Sequence, residues 1–90
     1  MNIIDHLSVG VKDIAAGRAF YDKTLEALGL SCLAATDGFA AYGKDAPQFL
    51  IMLPNDGAAA TAGNGVHICF VAPSREAVDA FHKAGLAHGG

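Results

Sequence analysis

Two stretches of this chain match one another at a constant offset of 61 residues: His6 falls on His67, Leu7 on Ile68 and Val9 on Phe70. The match runs on through Asp13 and Ser74, Ala19-Phe20 and Ala80-Phe81, and Gly29 and Gly90. A strand histidine, a helix cap and a helix aromatic kept in one register point to a duplicated strand–helix unit. Duplication is a statement about architecture, because each unit needs a second one to bury its apolar face. The fold must therefore place two similar units together.

The first unit reads clearly. From Asp5 the residues alternate, with Leu7, Val9 and Val11 on one face and His6, Ser8 and Gly10 on the other. That period of two predicts a half-buried strand within 3–11. Asp13 is placed to cap a helix whose apolar face is Ile14, Tyr21, Leu25 and Leu28, and Gly29 suits a left-handed C-cap. Residues 31–36 and 39–42 predict two strands meeting at Asp37-Gly38, a common hairpin turn. Gln48 to Leu53, bounded by Pro47 and Pro54, predicts another strand. Residues 55–65 are rich in Gly and Ala without periodicity and read as a loop. The second unit predicts a strand over 66–72 and a helix capped by Ser74, with Glu76 in its first turn. The expected class is α+β: a βαβββ module over 1–54, a linker over 55–65, and an incomplete βα module over 66–90, all in a single domain.

Composition limits the function. Ninety residues suffice for one small domain, which buries only about 60–65% of its unfolded surface. A 52% hydrophobic, 17% charged chain is too apolar to be disordered. Its net charge of −3 and six scattered basic residues argue against nucleic-acid binding. No apolar run is long enough to span a bilayer, and the first residues lack a signal peptide's basic start. Cys32 and Cys69 have no close partner in sequence. A cytoplasmic protein with reduced thiols is the expectation.

The run His6-Leu7-Ser8-Val9-Gly10-Val11-Lys12-Asp13-Ile14, continuing to Ala19-Phe20-Tyr21, resembles the opening of a vicinal oxygen chelate protein of the glyoxalase/bleomycin resistance/dioxygenase superfamily. Gly65-Val66-His67-Ile68-Cys69-Phe70 resembles the start of that family's second module. The resemblance implies paired βαβββ modules enclosing a cleft for a small molecule. It also implies an ancestral lyase or dioxygenase activity, with a divalent Zn, Ni, Mn or Fe ion held by His6 and His67. Such an ion would polarise substrate oxygens as a Lewis acid. Ser8, Cys69 and Phe49 are candidate ligand contacts. Two departures stand out. The strand 48–53 has no Asp, Glu or His, and the family's late carboxylate would follow Gly90. Two histidines are one ligand short of a catalytic site. A metal-free binding module of the resistance type, or an inactive truncated module, is therefore the alternative, and no cofactor at all is equally compatible with these residues. His82 reads as a surface side chain and His88 as solvated tail. Incomplete modules leave sheet edges open, so a homodimer is expected.

Overall fold

The computed structural model describes residues 3–90. Six elements follow in order: β1 (Leu7–Gly10), α1 (Ile14–Glu26), β2 (Ser31–Ala35), β3 (Phe39–Gly43), β4 (Pro47–Met52) and α2 (Arg75–Ala87). The strands form one mixed sheet in the order β1-β4-β3-β2. β1 lies parallel to β4 with Leu7 opposite Phe49 and Val9 opposite Ile51, while β4–β3 and β3–β2 are antiparallel. The α+β class and the first βαβββ module are as the sequence implies.

Local chemistry explains the element ends. The Asp13 carboxylate accepts from the amides of Ala15 (2.8 Å) and Ala16 (3.5 Å), and the Ser74 hydroxyl accepts from Ala77 (3.1 Å). Each cap satisfies amides that have no partner in a helical first turn. α1 ends on Gly29 at φ +84, where the Leu30 amide donates to Leu25 and the Gly29 amide to Glu26. This paired bonding is the Schellman arrangement, which a residue with a Cβ resists. The β2–β3 hairpin closes at Asp37-Gly38, but neither residue is left-handed. The Thr36 hydroxyl shapes the turn instead, accepting from the Gly38 and Phe39 amides.

The helices lie on one face of the sheet. Leu25, Ala40, Tyr42, Ile51 and Thr24 are fully buried, and Ile14, Leu28, Ala41, Phe49 and Ala77 nearly so. Thr24 bonds its hydroxyl to the Phe20 carbonyl at 3.1 Å, so its burial leaves no donor unmet. Aromatic rings run through the core from Tyr42 to Tyr21, Phe49, Phe70 and Phe81, with successive centroids 5.1–6.3 Å apart. Gly17 lets α1 settle on β4, since a Cβ there would stand 2.8 Å from Ile51 Cδ1.

Two expectations for the second unit need correction. Residues 66–72 form no strand. Ile68, Phe70 and Ala72 do pack on the core, and His67, Cys69 and Val71 do face solvent. The alternation is kept, but no described strand pairs with it, and a strand is defined by its ladder. The equivalence of Gly29 with Gly90 is also displaced by one residue. Gly89 is the glycine at positive φ (+103) after α2. Elsewhere the offset is kept, because α1 and α2 begin, end and are capped at positions 61 apart.

Leu25→Ala removes a side chain with 0% exposure at the centre of this packing. The expected loss is about 2–5 kcal/mol, read as a lower urea midpoint with an unchanged slope.

Candidate functional site

Among the described residues no helix or strand covers the sheet face opposite the helices. Only at its end does a loop come near, with Ala60 Cβ 3.6 Å from where a Cβ on Gly10 would stand. Register places Ser8 of β1 beside Leu50 of β4, Leu50 beside Ala41 of β3, and Ala41 beside Ala34 of β2. The next row runs Gly10, Met52, Phe39. None of the four strands contains a charged residue. Leu50, Met52 and Phe39 are half-buried, and Ser8 and Gln48 are exposed near the rim. The result is an apolar surface with a few neutral hydrogen-bonding groups at its margin.

The sequence-derived candidates fall in different places. His6 sits just before β1, 61% exposed, with Nδ1 2.8 Å from the Asp5 carboxylate. Ser8 shares the open face with Leu50. His67 and Cys69 lie exposed on the extended segment before α2, and the Cys69 thiol approaches the Phe70 carbonyl at 3.8 Å. Phe49 belongs to the other face, 4% exposed, with the Tyr21 ring tilted against it and the Phe70 ring edge-on to it. His82 and His88 are exposed.

The donor set decides whether a family-type metal fits. Among the described residues no group of three or more His, Cys, Asp or Glu side chains comes together. On the open face β4 presents Leu50 and Met52, with no His or carboxylate between them and Ser8 of β1. The side chains present therefore do not fit a divalent ion that needs three protein ligands.

One polar constellation was not anticipated from sequence. Tyr42 donates its hydroxyl to Asp22 of α1 at 2.5 Å, and Arg18 Nη2 donates to the same carboxylate at 3.3 Å. The Arg18–Asp22 spacing of four is a legible helical pair. Its third member is not, because Tyr42 lies twenty residues away on β3. Burial of Tyr42, then its bond to the Asp22 carboxylate, raises the phenol above its ordinary value of 10.0. Asp22, by hydrogen bond and charge, likewise raises Arg18, which keeps its charge throughout. The group ties α1 to the sheet.

The model of the Glyoxalase/Bleomycin resistance protein/Dioxygenase superfamily matches residues 3–90. A crystal structure of a glyoxalase/bleomycin resistance protein from Albidiferax ferrireducens T118 superposes with a TM-score of 0.90 at 40% identity, covering 98% of this chain and 71% of that one. The structure of a possible glyoxalase from Bacillus cereus superposes at 0.65 with 25% identity, covering 96% and 73%. No match was found among curated proteins. The chain belongs to the glyoxalase/bleomycin resistance protein/dioxygenase superfamily. Among the described residues no helix is long and apolar enough to cross a membrane.

Calorimetric titration of the purified chain with Ni or Zn should show no stoichiometric site dependent on His6, tested with His6→Ala. Stability should hold at neutral pH and fall above pH 10.0. The reason is that the unfolded Tyr42 phenol loses its proton there while the folded one, its value raised, keeps it. In Tyr42→Phe this alkaline loss should shrink, as read by chemical denaturation across the pH series.

Proposed function

We propose that this chain binds an uncharged, largely apolar small molecule against the open face of its sheet, by contacts that need no metal. The observation that carries the reading is the character of that face. Leu50, Met52 and Phe39 are half-exposed on strands with no charged residue, and Ser8 and Gln48 are exposed at the margin. Ligand sites are typically apolar surfaces with a few placed polar groups, which is the composition found here. An apolar ligand gains by displacing water from Leu50 and Met52, at roughly 25 cal/mol per Å² covered. The Ser8 hydroxyl, on the same row as Leu50, is placed to orient a carbonyl or hydroxyl of the ligand. A carboxylate or phosphate ligand is disfavoured, since no cation on the strands offsets its desolvation. Family membership supports the reading, because the superfamily's name itself includes resistance proteins beside enzymes. The fold alone would not decide between those activities.

The test is a thermal-shift screen of neutral aromatic and heteroaromatic compounds with a chelator present. A ligand at a hundredfold excess over its Kd adds about 2.7 kcal/mol of stability, enough to detect. A hit should lose more than about tenfold in affinity with Leu50→Gln, about 1.4 kcal/mol. Phe49 should not appear in the ligand's contacts. If no neutral compound raises Tm, or if hits bind Leu50→Gln as well as the parent, the proposal fails.

A further inference from the structure

An Asn or Asp stands directly before a glycine at three places in the chain: Asp37-Gly38, Asp56-Gly57 and Asn64-Gly65. In such a pair the backbone nitrogen of the glycine can bond to the side-chain carbonyl carbon and close a five-membered imide. Glycine favours the reaction because it has no Cβ to obstruct the necessary rotation. Whether a given pair reacts then depends on whether its nitrogen and its side chain are free to meet. The fold treats the three pairs differently.

Two of them are held. The Gly38 amide donates to the Thr36 hydroxyl at 3.1 Å. The Gly57 amide donates to the Pro54 carbonyl at 3.1 Å, and the Asp56 carboxylate accepts from the Ala58 amide at 2.9 Å. An amide engaged in this way must first open before it can lose its proton and turn. At the third pair neither group is engaged. Among the described residues the Gly65 amide and the Asn64 carboxamide make no hydrogen bond. Both residues are exposed. Their turn is closed by a single bond, from the Val66 amide to the Gly63 carbonyl at 3.2 Å. The other two asparagines, Asn2 and Asn55, precede Ile3 and Asp56, where a Cβ obstructs ring closure.

We propose that Asn64 is a site of spontaneous deamidation, at which the folded chain converts to aspartate and isoaspartate through an imide closed by Gly65. The Gly65 nitrogen gives its proton to solvent base and bonds to the Asn64 carboxamide carbon. The bond from that carbon to the side-chain nitrogen breaks, and ammonia leaves with a proton from water. A water molecule then adds to one of the two imide carbonyls. Opening at the side-chain carbonyl gives aspartate, and opening at the main-chain carbonyl gives isoaspartate. One water is consumed and one ammonia released, with no oxidation or reduction. Both products add a negative charge, and the isomer also adds a methylene to the main chain. That methylene falls inside the Gly63–Val66 turn, whose hydrogen bond is the sole backbone bond from 66–72 to another described residue. The isomer therefore loosens the entry to the segment that carries Ile68 and Phe70 to the core.

Peptide mapping by mass spectrometry of the full chain, aged in mildly alkaline buffer, tests the proposal. The peptide containing Asn64 should gain the mass of an oxygen exchanged for NH and separate into two isomers. Its rate should rise in direct proportion to hydroxide, and Asn64→Gln should abolish the gain, because the larger ring closes far more slowly. Asp56→Asn places the same Asn-Gly pair in the held turn. In the folded variant, position 56 should convert more than about tenfold slower than position 64, the factor set by opening its hydrogen bonds. In urea the two positions should convert at rates within about twofold of each other, since no fold then distinguishes them. An Asn64 that stays intact in the folded chain, or that converts far faster in urea than in the fold, overturns the proposal. So do equal rates at positions 56 and 64 in the folded variant.

Discussion

The seating of α1 on the sheet is the contact on which the other features depend. Leu25 and Ile51 are sealed from solvent, Tyr21 lies on Phe49, and Tyr42 reaches across to Asp22. Burying an apolar helix face on one side of a four-stranded sheet leaves the sheet's other side without cover. That asymmetry places Ser8, Leu50 and Met52 outward and Phe49 inward. The two faces of one strand, β4, therefore have separate tasks: one holds the core and the other faces any ligand.

The second unit carries the same sequence pattern without a strand partner among the described residues. Its helix keeps the length and the cap of the first unit but turns a different face inward: Ala77 and Phe81 pack on the core, whereas their equivalents Ala16 and Phe20 are exposed and half-buried. Its extended segment keeps the in–out alternation but makes no ladder. Helical hydrogen bonds are local and close within four residues, so a capped amphipathic segment forms them wherever one side is packed. Strand hydrogen bonds are non-local and need a partner from elsewhere. Among the described residues neither the extended segment nor the exposed Val78 and Leu86 meets the sheet edge that the first unit's strand finds in β4.

Legibility of the site followed the same division. Alternation in 6–11 placed Ser8 away from the core correctly, since Leu7 and Val9 pack inward beside it. The same argument applied to Gln48–Leu53 exposes Leu50 and Met52 and buries Phe49 and Ile51, as observed. Phe49 as a ligand contact was suggested by residue type alone, and its neighbours turn out to be Tyr21 and Phe70. The Arg18–Asp22–Tyr42 group went unseen because its phenol arrives from another element, and no sequence spacing encodes that meeting.

By itself the sequence determined the repeat, the caps Asp13 and Ser74, the glycine turn after α1, the alternating faces and the family. All of these are set by residues within a few positions of one another, or by a periodicity that survives without contacts. Only the tertiary structure decided that 66–72 stays unpaired, that the left-handed glycine after α2 is Gly89, and that Tyr42 is held by Asp22. It alone showed that the two unit-equivalent helices meet at Thr24 and Gly85. These outcomes turn on which surfaces are present to be covered, and burial is a property of the assembled chain rather than of any segment in it.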